Sequence, residues 1–431
     1  MEIKRDVYLN RMIARMNNGF IKVITGIRRS GKSYLMNKLF YQHLISSGVM
    51  QDHIISFSFD AATDLLLINE DLDELVRANR KVDPKKFIRY LDSKIKDENV
   101  YYLLLDEIQN LANFETVLNG YLRKSNLDIY VTGSNSKFLS SDIITEFEGR
   151  GDEIHILPLS FSEFYPTFKG SKDEAFDAYS LYGGLPAIAL LASNEQKVQY
   201  LITQMQNIYI RDIIRRYNLS TNYEIGELLD VIASGISSLT NPTRIANTFK
   251  SQKKVILSEP TIDKYINCFI DAFVLSKAKR YDVKGRKYIN SPYKLYFEDL
   301  GLRNARINFR QIEQNHVMEN IIYNELRYRG YQVDVGVVEG FESNKNKQSV
   351  KKTYEIDFVA NSGGKRYYIQ SAYMIPDEQK YEQEVKPYKQ LKDSFKRIIL
   401  VDKTMAPRYD DNGYVTMGIK EFLLDSNSLD A

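Results

Sequence analysis

Eight consecutive residues, Gly26-Ile27-Arg28-Arg29-Ser30-Gly31-Lys32-Ser33, fit the pattern G-x-x-x-x-G-K-S/T at every fixed position. The chemistry of such a loop is phosphate binding. Its backbone N–H groups and the start of the following helix present positive partial charge to an anion. Lys32 would reach the β- and γ-phosphates of a nucleotide, and the Ser33 hydroxyl would ligate Mg²⁺. With Tyr34 next in the chain, residues 26–34 are the candidate nucleotide contacts. A chance glycine-rich turn is the competing reading, and a second motif argues against it. Tyr101-Tyr102-Leu103-Leu104-Leu105-Asp106-Glu107 is an apolar run ending in two carboxylates. Asp106 can complete a Mg²⁺ shell and Glu107 can polarise an attacking water. A slow nucleotide switch needs no second acid, so the pair points to hydrolysis. A helix-capping Asp-Glu pair is the plainer alternative. A third run, from Leu127, ends in Thr132-Gly133-Ser134-Asn135. Ser134 or Asn135 could touch the γ-phosphate or the water, although polar residues after a strand are also ordinary turn formers.

These groups need a scaffold that brings strand ends together. Phe20-Ile21-Lys22-Val23-Ile24-Thr25 reads as a strand before the loop, and residues 34–40 behind it have helical spacing of apolar side chains. Ile54-Ile55-Ser56-Phe57-Ser58-Phe59 is a further strand, and residues 84–97 and 114–124 read as helices. Repeated strand–helix alternation up to about residue 165 predicts a parallel α/β sheet covered on both faces, with ligands at the strand C-termini.

The 431 residues suffice for two to four domains, and 43% hydrophobic with 27% charged residues is the balance of a soluble globular protein. A net charge of +3 gives no global polyelectrolyte signal, so a nucleic-acid footprint must be local. The single cysteine, Cys268, excludes an intrachain disulfide and a cysteine-based zinc site, and reads as a core residue. The charged N-terminus and the lack of a long apolar run predict a cytoplasmic protein with no membrane partner.

After residue 160 the grammar changes. Helical patterns run to about 235, broken at Tyr182-Gly183-Gly184-Leu185-Pro186, where the glycines demand a turn and the proline can open the next helix. Helices over 223–236, from Asn241-Pro242 and from Ser258-Glu259-Pro260 precede a hairpin over 273–289, and together they describe a winged helix. Lys277, Lys279, Arg280, Lys284, Arg286 and Lys287 crowd that hairpin. They could lie on the phosphate backbone of double-stranded DNA. A protein-docking module, with lysines that merely keep the hairpin soluble, is the equal alternative. Residues 341–352 read as a polar loop, beside a hairpin of 354–360 with 365–373 and a buried strand over 397–401.

With these pieces in order, the chain resembles the bacterial and archaeal AAA+ ATPases whose C-terminal half is a DUF4143-type region. The resemblance is carried by the 26–33 loop, Leu105-Asp106-Glu107-Ile108-Gln109-Asn110, Tyr130-Val131-Thr132-Gly133-Ser134-Asn135 and Glu148-Gly149-Arg150. It continues in Pro158-Leu159-Ser160-Phe161-Ser162-Glu163-Phe164, Tyr182-Gly183-Gly184-Leu185-Pro186 and Glu355-Ile356-Asp357-Phe358. It implies a P-loop AAA+ core over 1–165, a helical lid over 166–224, a winged helix over 225–305 and a restriction-endonuclease-like α/β domain over 306–431. It also implies ATP as the nucleotide. Asn135 falls at the sensor position. Arg150 falls where an arginine meets a γ-phosphate, its own or that of a neighbour in a homo-oligomer, a structural salt bridge being the competing role.

A restriction-like nuclease needs an acid on a helix, an Asp on one strand and Glu-x-Lys on the next, to hold Mg²⁺ and activate water. Glu319 and Asp357 fit the first two places, and strand alternation puts Glu355 on the face of Asp357. The third fails, because the chain has Gln370-Ser371-Ala372 there. Gln370 is a neutral ligand, poor for a hard cation. The expectation is a degenerate nuclease site on a fold kept for binding. Three functions therefore stand: an ATP-driven switch on DNA, a nucleotide-gated protein-binding switch, and, least favoured, an ATP-regulated nuclease.

Overall fold

The computed structural model describes residues 2–77, 80–133, 147, 149–217, 222–253, 257–310, 312–343 and 349–430. The chain divides into two compact units, Met1–Leu157 with Asp271–Phe273, and Pro158–Ile270 with Val274–Ala431.

The first unit is a five-stranded, wholly parallel sheet of β1 (Ile21–Thr25), β2 (Ile54–Ser58), β3 (Tyr101–Asp106), β4 (Leu127–Thr132) and β5 (Gly151–His155), in the order β2-β3-β4-β1-β5. Every residue of β1, β3 and β4 is buried, as near-continuous apolar runs require of strands covered on both faces. Helices α1 (Asp6–Ile13), α2 (Lys32–Tyr34), α3 (Tyr41–Ser46), α4 (Pro84–Lys94) and α5 (Phe114–Tyr121) belong to this unit. The start of α4 follows from sequence: Asp83 accepts from the Lys85 N–H, and Pro84 fills the first turn. Phe57, Phe59, Phe87, Leu103, Leu105, Leu118, Ile129 and Val131 pack into one core. Lys22 sits inside the apolar run of β1, where burial lowers its pKa and the pairing with Asp128 on β4 opposes that. The strand order matters for chemistry. Because β4 separates β1 from β3, the C-terminal end of β4 lies between the phosphate loop and the two acids.

The second unit is built on a nine-stranded mixed sheet. Its strands are β6 (Leu239–Thr240), β7 (Leu275–Asp282), β8 (Lys287–Phe297), β9 (Gln332–Ser343), β10 (Ser349–Ser362), β11 (Lys365–Ala372), β12 (Lys396–Val401), β13 (Arg408–Tyr409) and β14 (Val415–Gly418). They run in the order β13-β14-β12-β11-β10-β9-β7-β8-β6. Helices used below are α6 (Lys172–Tyr182), α7 (Pro186–Leu190), α8 (Asn222–Ser234), α9 (Pro242–Thr248), α10 (Glu259–Asp271), α11 (Leu300–Arg306) and α12 (Gln314–Tyr328). The Gly183-Gly184 break is a turn between α6 and α7, and Pro186 does open α7. Asp299, the N-cap of α11, accepts from the Gly184 N–H at 2.8 Å and from the Leu302 N–H at 2.9 Å. Gly183 has φ +74°, and a Cβ on it would stand 2.5 Å from Asp299 Oδ1.

One expectation needs correction. Residues 341–343 and 349–352 are not a loop. They are the paired ends of β9 and β10, with Phe341 opposite Lys351 and Glu342 opposite Val350. Polar composition hid a strand whose stability comes from its partner across the hairpin. Residues 344–348 lie outside the described residues. The expected basic hairpin is present as β7–β8. β7 pairs in parallel with β9, Arg280 opposite Val335, so the hairpin lies inside the large sheet.

Candidate functional site

The phosphate loop leaves β1 at Gly26, where φ is +140° and a Cβ would stand 2.2 Å from the Ile156 carbonyl oxygen. Only glycine fits. Gly31, at φ +95°, caps α2, and Arg29 also takes a left-handed conformation at φ +67°. The helix that follows runs through α2, a π-helical stretch Leu35–Phe40 and α3. Lys32 is only 5% exposed, and its ammonium donates to the Gly26 and Ile27 carbonyls at 3.0 and 3.1 Å. Ile27 and Ser30 are fully buried, whereas Arg28, Arg29 and Ser33 are exposed. The Ser30 and Tyr34 hydroxyls are buried without a hydrogen-bond partner. Arg5, 3% exposed, ties the loop down from outside it, donating to the Ser30 carbonyl at 3.2 Å and the Leu157 carbonyl at 2.7 Å.

The structure brings together Ser33 and Asp106, which are distant in the chain: the Ser33 side chain lies within reach of the Asp106 carboxylate and lowers its pKa. Burial pushes the Asp106 carboxyl above its ordinary value, opposed by hydrogen bonds from Thr132 and Ser33, while Glu107 and Asp60 add negative charge nearby. Thr132, at the end of the intervening strand β4, was not among the expected site residues. Its hydroxyl donates to Asp106 Oδ1, and Thr132 Oγ1 accepts the Glu107 N–H at 3.1 Å. Only its place as the last residue of an apolar strand, before Gly133, could have flagged it. Glu107 itself adopts φ +52°. That conformation is costly for a glutamate, and such strain gathers at functional sites. Its carboxylate accepts from the Gln109 side-chain amide.

These residues fit a Mg²⁺–nucleotide. The loop offers glycines at positive φ at both its ends, an orphaned hydroxyl at Ser30, and an exposed Ser33 beside a carboxylate. Mg²⁺ takes one or two protein ligands and completes its shell with phosphate and water, so Ser33 with Asp106 is a sufficient set.

Arg150 lies elsewhere. It immediately precedes β5, and its carbonyl accepts the Ile21 N–H at the start of β1, at the opposite end of the strands from the loop. The five residues of β1, roughly 16 Å, separate the two ends. An arginine cannot span that distance to its own chain's loop. Ser134, Asn135 and Glu148 lie outside the described residues.

In the second unit Glu355 and Asp357 on β10 face the same way, as alternation predicts, and Glu319 on α12 lies with them around Lys294. Gln370 Oε1 accepts the Asp357 N–H at 3.3 Å. Of the hairpin cations, Lys279, Lys284, Arg286 and Lys287 are exposed. Lys277 and Arg280 are half-buried, with the Lys277 ammonium 3.7 Å from the Tyr293 ring centre. Cys268 is a core residue, 2% exposed. No described helix is long and apolar enough to cross a membrane.

Residues 18–165 match the family model of an AAA domain, and residues 173–313 match a domain of unknown function, DUF8612. The region matched after the ATPase core, residues 173–313, is therefore DUF8612 and not DUF4143. Five of the seven motifs that suggested the latter lie before residue 165, where they report only on the ATPase core. An uncharacterized protein of Haemophilus influenzae is 30% identical over 407 residues, covering 93% of this chain and 94% of its own. The chain belongs to the family of that protein, one with an AAA-type ATPase domain. An uncharacterized protein of Methanocaldococcus jannaschii is 29% identical over 420 residues, covering 94% and 86% of the two chains. A Walker-type ATPase of Pyrococcus abyssi has a similar structure, with 16% identity, a TM-score of 0.48, and coverage of 71% of this chain and 96% of its own.

Proposed function

We propose that the protein is a Mg²⁺-dependent ATP hydrolase whose nucleotide cycle switches its C-terminal unit. The observation that carries this is the meeting of Ser33, Asp106, Thr132 and Glu107 beside the phosphate loop. Ser33 and Asp106 would hold the metal, which supplies charge neutralisation at the phosphates. Lys32 would take the phosphate charge now met by loop carbonyls. Glu107 would orient the water, with Asn135 assisting. Arg150 would act on the nucleotide of a second copy, which makes the active species a homo-oligomer.

The order α8, β6, α9, α10, β7, β8 supports a winged helix within 225–305, and the exposed tip cations support contact with DNA. The helices of 166–224 are assigned as lid and the region 306–431 as a nuclease-like fold without cleavage. A protein-binding switch is the second reading. The partial burial of Lys277 and Arg280 favours it, since fewer cations remain for phosphate.

The deciding measurement is steady-state ATP hydrolysis by wild type and Glu107→Gln, with and without double-stranded DNA, at two salt concentrations. Wild type is expected to hydrolyse ATP faster with DNA, less so at high salt, and the variant to be inactive throughout. Turnover indifferent to DNA would select the protein-binding reading, and no turnover at all would refute the hydrolase.

A further inference from the structure

A second cluster of charge, unrelated to the nucleotide site, lies in the C-terminal unit. Three carboxylates surround one lysine on β8. The Lys294 Nζ stands 2.8 Å from Glu319 Oε1, 2.9 Å from Glu355 Oε1 and 3.5 Å from Asp357 Oδ1. The Lys294 side chain is 4% exposed, against 11%, 31% and 13% for the three acids. Tyr296, two residues further along β8, donates to the same Glu319 oxygen at 2.7 Å. The other oxygen of Asp357 accepts the Ser371 N–H at 2.8 Å.

Three largely buried carboxylates facing one point repel one another unless a cation sits there. An ammonium has three donors and no acceptor, so it can face all three acids at once. The contact with Glu319 is a charge-assisted hydrogen bond, Glu355 stands at a similar distance, and Asp357 is a longer ion pair; all three lie well beyond the ~2.1 Å of a Mg²⁺–oxygen contact. Among the described residues no group of three or more His, Cys, Asp or Glu is arranged to hold a metal ion as it stands. Burial acts to lower the lysine's pKa, but the three acids outweigh it and hold it above the ordinary value. Burial pushes the Asp357 carboxyl up to about 7, with Glu319 and Glu355 adding to the rise and Lys294 opposing it.

We infer that the Lys294 ammonium is the resident cation of this cluster, standing where a divalent metal ion would otherwise sit, and that the pocket accepts Mn²⁺ or Mg²⁺ only once that side chain is removed. The missing carboxylate at Gln370 then has a companion: a neutral residue replaces one ligand and a lysine replaces the ion. Lys294 also lies opposite Leu239 of β6 and Ala278 of β7, so the same ammonium fastens the basic hairpin to α12 and β10.

The test is Mn²⁺ binding, followed by electron paramagnetic resonance on nucleotide-free full-length protein, for wild type, Asp357→Asn, Lys294→Met and Lys294→Met with Asp357→Asn. Wild type and Asp357→Asn are expected to bind Mn²⁺ alike. Lys294→Met should gain a site at least tenfold tighter, lost again in the double variant. A folded Lys294→Met that binds no more Mn²⁺ than wild type overturns the inference. If that variant does not fold, the other pair decides: equal binding supports the inference, and loss of a site in Asp357→Asn overturns it. So does cleavage of DNA by wild type in Mn²⁺ that disappears in Asp357→Asn.

Discussion

At the scale of single residues, Thr132 connects the two acids: one hydroxyl donates to Asp106 and accepts from the Glu107 backbone. A hydrogen bond to a charged group contributes about 1.5–3 kcal/mol. Thr132→Val keeps the shape and removes both bonds, so ATP turnover is expected to fall roughly tenfold to hundredfold. Thr132→Ser should restore most of it, and the Mg²⁺ concentration needed for half-maximal rate should rise in the valine variant alone. Unchanged turnover in Thr132→Val would remove the threonine from the site. A second residue carries a pH signature. Asp299 is buried, and burial pushes its carboxyl from 3.8 up to about 6, although four backbone N–H groups pull the other way. Its folded value exceeds its unfolded one, so its contribution to stability is complete below about pH 4 and is lost as pH rises to about 6. The loss amounts to about 3 kcal/mol. Denaturant unfolding at about pH 4 and about pH 7 should show a smaller drop in Asp299→Asn than in wild type, and equal drops would contradict the assignment.

At the scale of elements, the same carboxylate explains the glycine pair. Gly183 turns the chain between α6 and α7 in a left-handed conformation, with no room for a Cβ against Asp299 and the Gly301 N–H. Gly183→Ala should destabilise the protein by more than about 2 kcal/mol, read as a lower denaturant midpoint, whereas Gly363→Ala, at an open hairpin tip, should cost less. Elements of this kind were legible in sequence where the signal was local. The turn, Pro186 opening α7, the Asn241 cap of α9 and the buried runs of β1, β3 and β4 all follow from neighbouring residues. What depended on distant partners was hidden. The polar ends of β9 and β10 are strands because each pairs with the other, and β7 joins β9 from more than fifty residues away. Thr132 and Lys294 look like ordinary strand residues until the sheet order sets them beside acids supplied by other strands and helices.

At the scale of the whole molecule, the question is what the ATPase unit acts upon. Four exposed cations, Lys279, Lys284, Arg286 and Lys287, remain at the hairpin once the two half-buried ones are set aside. Each phosphate contact contributes a slope of about −0.9 to the dependence of log affinity on log salt. Replacing all four by alanine should therefore flatten the salt dependence of duplex binding by roughly 3 to 4 and weaken it alike for every sequence. Basal ATP turnover without DNA should stay at the wild-type level, because none of the four lies in the unit that carries the phosphate loop. Fluorescence anisotropy with a labelled duplex at several salt concentrations gives the slope. A reduced slope with intact basal turnover would make the hairpin the DNA contact of an ATP-driven switch. An unchanged slope would exclude the hairpin, and no measurable duplex binding by wild type would direct the search toward a protein partner.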